Sequence, residues 1–340
     1  MTEDAAEVAE RLGPAVQEFE GKTILLTGAA GFLGRHFRDV FAHINSHLLA
    51  RPARVVGIDN FITGGKADTE LIRHDVTTPL DWPGEVDFVV HAAGIASPFH
   101  YRAHPLETLE VAVRGTRNML ELAQARDARF LYFSSSEIYG DPDQSHVPTP
   151  ESYRGNVSCV GPRACYDEGK RVGETLCHIF HERFGVHTNQ VRPFNVYGPG
   201  MAQADYRVLP SFASRVKSRM ALEIYGSGKQ TRTFCYMTDA MVGFLLTMLR
   251  GVPGEAYNIG APTPEIPMLE LAEKVRKMLG SDVPVRRIEY PDSYPADEPL
   301  RRCPDIRKAR LQLGFEPAVG LDEGLSRFFA WTERTYTPQS

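Results

Sequence analysis

The sequence predicts an α/β protein built on a doubly wound parallel sheet, with a smaller α/β substrate domain toward the C-terminus. Three observations predict it. Short β-rich runs alternate with long helical stretches, a glycine-rich turn joins the first run to the first helix, and beyond about residue 196 glycine and proline thicken and the alternation breaks down. Such alternation indicates parallel strands covered by helices on both faces.

Taken in order, residues 1–20 read as a short amphipathic helix interrupted at Gly13-Pro14, an extension outside the core. Lys22 to Thr27 is a buried-strand run, followed at once by Gly28-Ala-Ala-Gly31-Phe32-Leu33-Gly34 and a helix from Arg35. Further strands are expected at 54–59, 86–91, 128–133, 188–192 and 256–259, with helices at 105–126 and 166–184. The expected division is an extension at 1–20, a dinucleotide-binding half at 21–195 and 234–261, and a substrate half at 196–233 and 262–335.

Composition narrows the partners. The chain has 340 residues, 42% of them hydrophobic, enough for a full core. Its formal charge of −5 and the lack of any basic run argue against nucleic acid or an anionic membrane surface. No apolar run approaches the roughly 18 residues of a membrane span, and the first residues do not read as a signal peptide. Five cysteines without a C-x-x-C pair suggest neither a disulfide frame nor a zinc site, so a cytoplasmic setting is expected. His178 and His181, near Cys177 and His187, read as a helix surface rather than a metal site.

Gly28, Gly31 and Gly34 suit a dinucleotide. One glycine makes the turn, one lets a pyrophosphate approach the backbone, and one lets helix pack on strand, while the helix N-terminus offers N–H groups to the anion. Asp59-Asn60 closes the next strand, where a carboxylate accepts from ribose hydroxyls and repels a 2′-phosphate. That favours NAD over NADP. Gly28 and Asp59 stand 31 residues apart, against roughly 20 in the usual arrangement, and the excess falls around residues 43–52. Asp75-Val76 is placed either at the adenine edge or on a surface loop.

Tyr166 and Lys170 lie four residues apart and share one face of a helix. An ammonium beside a phenol lowers its pKa from about 10 toward neutrality, which would make Tyr166 a base. On its own the pair is more readily read as a solvated helix face. With the glycine turn, the acidic strand end, His91-Ala92-Ala93-Gly94 and the serine-rich Phe133-Ser-Ser135-Ser-Glu137, it completes an ordered set. In that set the chain resembles an extended short-chain dehydrogenase/reductase with a Rossmann fold. Within that superfamily it is most similar to UDP-glucuronate decarboxylases, through Ile72 to Thr77, Ser136 to Pro142, Gly161 to Arg171, Tyr225 to Phe234 and Pro304 to Ile306.

The resemblance implies NAD as cofactor, a UDP-sugar acid as substrate, oxidation at the 4-hydroxyl, loss of carbon dioxide and return of the hydride. It implies catalytic roles for Tyr166, Lys170, Ser135, Glu137 and Arg232. Cofactor contacts are implied at Gly28, Gly31, Phe32, Leu33, Gly34, Asp59, Asn60, Asp75, Val76, Ala92, Ala93, Gly94, Tyr166, Lys170 and Arg192. For the nucleotide sugar it points to Asn195, Arg207, Val208, Tyr225, Arg232, Arg301 and Arg302, although adjacent arginines on a strand cannot both face one ligand. A homodimer follows from the family habit of pairing two helices per subunit, here 105–126 and 166–184. Their apolar residues Leu106, Leu109, Val113, Leu120, Val172, Leu176, Ile179 and Phe180 suit either an interface or core packing.

Three positions depart from the pattern. Ala112 stands where many relatives carry asparagine, Gly200 follows Tyr197-Gly-Pro199 where arginine is usual, and Ala92 to Pro98 shifts toward general epimerases. A nucleotide-sugar 4-epimerase or 4,6-dehydratase is therefore the second reading, and a non-catalytic NAD sensor the third. Ser136 stands where the dehydratase has its acidic Asp.

Overall fold

The computed structural model describes residues 2–63, 69–205, 207–290 and 299–338. Its centre is a seven-stranded, wholly parallel sheet of β1 (Thr23–Thr27), β2 (Arg54–Asp59), β3 (Ile72–Arg73), β4 (Phe88–His91), β5 (Arg129–Phe133), β6 (Thr188–Pro193) and β7 (Ala256–Ile259). Strand order is β7-β6-β5-β4-β1-β2-β3. All six expected strands are present; the seventh, β3, has only two residues and both are exposed, so no hydrophobic pattern betrays it. Between β1 and β4 the order reverses, which opens a crevice at the carboxyl ends of the strands.

The helices used below are α1 (Thr2–Leu12), α2 (Phe32–His47), α3 (Thr116–Arg126), α4 (Ala164–Phe184), α5 (Val208–Lys217), α6 (Met237–Arg250), α7 (Met268–Met278), α8 (Arg307–Leu313) and α9 (Leu321–Thr335). The expected helix at 105–126 is not continuous. It begins as a short helix at Pro105–Glu110 and passes through a five-residue π turn at Val111–Gly115 before α3. Gly115 permits this, because a Cβ there would sit 2.8 Å from Val76 Cγ2.

The long spacing between Gly28 and Asp59 is explained by α2. It runs on to His47, and Asn45 then brackets Ala53 with two hydrogen bonds of 2.8 Å, returning the chain to β2. Beyond β6 the strands are short. Apart from β7, those among the described residues form three small sheets, including the antiparallel pairing of 266–267 with 231–232, flanked in parallel by 301–302.

Residues 1–20 correct the expectation of an extension outside the core. On α1, Ala5, Val8, Ala9 and Leu12 are buried in the main hydrophobic cluster with Phe37, Phe41 and residues of α6. Polar contacts hold the same helix. Asp4 accepts from the Tyr236 hydroxyl at 3.0 Å, Glu7 accepts from Thr238 at 2.8 Å and pairs with Arg327, and Arg11 lies 2.7 Å from buried Asp239.

Candidate functional site

The glycine turn is shaped by close approaches. Gly28 has φ +70°, and a Cβ on it would lie 2.7 Å from the Ala92 carbonyl; one on Gly34 would lie 2.2 Å from the Gly28 carbonyl. Gly31 is the N-cap of α2, and Phe32 and Leu33 form its first turn, half-buried. Asp59 ties this turn to β2, its carboxylate accepting from Ala30 N–H at 2.9 Å and Phe61 N–H at 2.7 Å. Asn60 Nδ2 donates to Asp75 at 3.1 Å, which brings those two predicted residues together. Burial works against the charge on Asp75, but donors from Thr77 and Asn60 hold its carboxyl below the usual range. Val76 is buried, and its carbonyl accepts from Asn118 at 2.8 Å. Across the crevice Ala93 N–H donates to Thr27, and Gly94 faces Lys170, whose Nζ would be 3.2 Å from a Cβ at that position. A backbone cradle without room for side chains, at a helix N-terminus, with an acidic residue closing the next strand, fits a dinucleotide.

At the other end of the crevice Tyr166 and Lys170 occupy the first turns of α4, both buried. Lys170 Nζ donates to the Phe133 carbonyl at 2.6 Å and stands 5.2 Å from the Tyr132 ring centre and 5.8 Å from that of Tyr166. Tyr101 stacks on Tyr166 with ring centres 5.3 Å apart. The phenol does not move in the direction expected from its spacing to Lys170. Burial pushes Tyr166 up to about 12, with a hydrogen bond to Ser135 working the other way, while burial lowers Lys170 to about 8. Desolvation outweighs the neighbouring ammonium here.

Ser135 caps the short 3-10 turn at Ser136–Tyr139, accepting from Glu137 N–H at 3.2 Å. Glu137 Oε2 receives two guanidinium groups, Arg163 from the start of α4 and Arg302 at 2.6 Å from the small three-stranded sheet. Sequence reasoning singled out Glu137 and Arg302 but missed Arg163. Its four-residue spacing to Asp167 was the available signal, whereas its contact with Glu137, 26 residues back, is tertiary.

The two adjacent arginines separate as strand geometry requires. Arg302 is buried against Glu137, whereas Arg301 turns away and forks onto Glu265 at 2.7 and 2.6 Å. Arg232, on the strand between, is buried and donates to the Thr231 carbonyl at 2.8 Å. Arg192 lies on β6. It forks onto Glu174 at 2.8 and 2.6 Å and also donates to Tyr139 and the Glu151 carbonyl, contacts that clamp β6 to α4. Asn195 adopts φ +44° and donates to the Thr233 carbonyl at 2.8 Å. Arg207 pairs with Asp205 and stands 5.9 Å over the Phe32 ring, Val208 opens α5 half-buried, and Tyr225 stacks on Tyr290.

Two of the departures have local reasons. Gly200 has φ +93°, a conformation arginine would resist, and Ala112 lies in the π turn, where it packs 3.1 Å from a Cβ built on Gly169. Among the described residues no three metal-ligating side chains gather, and none of the helices is long and apolar enough to cross a membrane.

The sequence family described as NAD dependent epimerase/dehydratase matches residues 24–260. The chain belongs to this family. Curated relatives of the chain include UDP-glucuronic acid decarboxylase 1 of Arabidopsis thaliana, 43% identical over 89% of the chain and 68% of the relative. UDP-glucuronic acid decarboxylase 3 of the same plant is 43% identical over 89% and 86%, and UDP-glucuronic acid decarboxylase 1 of Xenopus tropicalis is 41% identical over 92% and 72%. Solved neighbours of the chain include DesIV, a dTDP-glucose 4,6-dehydratase from Streptomyces venezuelae with NAD bound, at TM-score 0.78, 25% identity and 92% and 97% coverage of the two chains. Another is UDP-glucuronic acid 4-epimerase from Bacillus cereus with UDP-glucuronic acid and NAD, at 0.76, 25%, 92% and 100%.

Proposed function

We propose that the protein is an NAD-dependent UDP-glucuronate decarboxylase that oxidises the sugar at its 4-hydroxyl, releases carbon dioxide and re-reduces the product to UDP-xylose. The observation that carries this reading is Glu137, held by two buried arginines beside Ser135 and Tyr166, in a chain 43% identical to decarboxylases of that substrate. NAD, when bound, supplies the hydride acceptor and a positive charge, and returns the hydride at the end.

The reaction roles follow from each residue's chemistry. Ser135 holds the 4-oxygen, and Tyr166 takes its proton. At about 12 the phenol is protonated at neutral pH, so its work as a base depends on cations drawn close, Lys170 first among them. The oxidised sugar is a β-keto acid. Its carbon–carbon bond breaks as electrons flow toward the 4-oxygen, where Ser135 and Tyr166 offer hydrogen bonds, and the ring carbon then takes a proton. Glu137 serves that half of the reaction, and Arg232 and Arg302 meet the carboxylate or the diphosphate. For the nucleotide we assign Asn195, Arg207 and Tyr225; for NAD, the glycine turn, Asp59, Asn60, Ala92, Ala93 and Gly94.

The same reading includes a homodimer. Of the apolar residues on the two candidate helices, Leu120 and Phe180 are buried in the subunit, whereas Leu106 (73% exposed), Leu109 and Ile179 face outward and would form the contact. All five cysteines are free thiols, which suits the cytoplasm. The division into a dinucleotide half and a substrate half is likewise carried forward, with Glu137 and Arg302 meeting across it. The test is to incubate the purified protein with UDP-glucuronate and follow sugar nucleotides by mass. Loss of one carbon dioxide supports the decarboxylase, while an isobaric product would replace it with the 4-epimerase suggested by the Bacillus cereus neighbour.

A further inference from the structure

The first turns of α4 carry two pairs at four-residue spacing. Tyr166 and Lys170 are one; Arg163 and Asp167 are the other. Arg163 Nε stands 3.4 Å from Asp167 Oδ2, and its Nη2 holds Glu137 Oε2. Arg302 Nη2 reaches that same oxygen at 2.6 Å. Arg163, Asp167 and Arg302 are 8%, 6% and 7% exposed and Glu137 is half-buried beside them, so these four groups form a largely buried cluster of two cations and two carboxylates.

The arrangement is directional. Both guanidinium groups converge on Oε2, and Oε1 of Glu137 has no partner among the described residues. A Glu side chain otherwise loses several rotatable bonds' worth of freedom only on meeting its ligand, and pinning one oxygen removes that cost beforehand. The pin is itself anchored. Without the Asp167 carboxylate, Arg163 keeps its contact with Glu137 but loses one of the groups that set its direction, and the cluster loses a buried negative charge.

We propose that Asp167 and Arg163 are positioning residues for Glu137, Asp167 orienting Arg163 and Arg163 fixing the Glu137 carboxylate so that one oxygen is left for the carbon dioxide-releasing half of the reaction. This rests on the decarboxylase reading. Six groups face Asp167: Arg163, Cys165 and Tyr166 at the start of its own helix, Glu137 from the 3-10 turn, Arg302 from the small sheet, and Tyr101 from the short helix Pro98–Ala103. Burial, reinforced by the Glu137 charge, pushes the Asp167 carboxyl well above the usual carboxylate range, so its grip on Arg163 weakens at a pH where ordinary carboxylates remain charged.

The test uses the full-length, NAD-loaded protein and UDP-glucuronate, with carbon dioxide release measured across pH for wild type, Asp167→Asn, Asp167→Glu and Arg163→Lys. In Asp167→Asn, kcat is expected to fall at least about tenfold while KM stays within about threefold, and the acid limb of the kcat profile disappears. Asp167→Glu restores most of the rate and the limb. Arg163→Lys keeps the charge but not the fork, and is expected to lose kcat to the same degree, so it carries the test should Asp167→Asn not fold. Wild-type kcat and an unchanged acid limb in the variants that fold overturns the positioning role, as does a loss confined to KM. Wild-type protein that releases no carbon dioxide overturns the decarboxylase reading and this role with it, an outcome distinguishable from the first.

Discussion

Replacing Lys170 with methionine should abolish turnover and, at neutral pH, make the protein more stable. The ammonium is buried, and its pKa is lowered from an ordinary 10.5 to about 8. At about 1.4 kcal/mol per tenfold change in proton affinity, the charged group costs the folded state roughly 3 kcal/mol at pH 7. Methionine fills a similar volume without charge but leaves the Phe133 carbonyl without its 2.6 Å donor, a loss of about 1–2 kcal/mol. The variant should therefore be more stable by about 1–2 kcal/mol, or a rise of roughly 2 °C in Tm for a chain of this size. The sign depends on pH. Between about 8 and 10.5 the unfolded chain still holds a proton that the folded one has released, so wild-type stability rises through that window relative to the variant. Near pH 10 the charge penalty has shrunk to under about 1 kcal/mol and the order of stabilities reverses, because only the wild type keeps the Phe133 hydrogen bond. Thermal melts of nucleotide-stripped wild type and Lys170→Met at pH 7 and pH 10 read this directly. A variant less stable at both values, or a difference that ignores pH, refutes the reasoning.

Gly34→Ala places a Cβ 2.2 Å from the Gly28 carbonyl, which forces backbone apart in the turn; NAD titration should show binding lost, and melting should show destabilisation of about 2 kcal/mol or more. Arg11→Ala leaves the fully buried Asp239 carboxylate with only the Ala318 and Val319 N–H groups, at a cost of about 3 kcal/mol and a Tm drop of roughly 4 °C by calorimetry. If the outward face of the two helices is the dimer contact, Leu106→Glu with Ile179→Glu should give a single-chain mass in light scattering while the circular dichroism spectrum stays unchanged.

Much of the fold was legible because strand burial and strand sequence report the same thing. Five of the six expected strands are buried over most of their length by helices on both faces, so they read as apolar runs, and the sixth, β6, is buried too despite its polar Asn189 and Gln190. The glycine turn was legible for the same kind of reason, since steric exclusion at Gly28 and Gly34 leaves no other residue type. Ion-pair partners were not. Nothing in the sequence pairs Arg192 with Glu174, and Arg301 could not be told from Arg302 until the register of residues 301–302 against 231–232 turned one inward. Tyr166 failed in another way: spacing on a helix reports a neighbour's charge but not the depth of burial, and here burial sets the direction. The N-terminal helix misled because one apolar stripe suits a peripheral helix and a core helix equally.

That helix also has a consequence for how the chain matures. Asp4 and Glu7 meet Tyr236 and Thr238, 232 and 231 residues further along, and Arg11 also donates to the Glu316 carbonyl 305 residues on, so a segment made early in this stretch of chain is among the last to complete its contacts. At synthesis rates of about 5–20 residues per second, α2 is available to the Ala5, Val8 and Leu12 stripe within seconds, but the part of α1 that α6 covers stays open for roughly 10–60 seconds. During that interval the nascent chain presents an adhesive surface, and closing it joins contacts of long sequence separation, the slow kind. Docking of α1 would then mark completion of the fold rather than its nucleation.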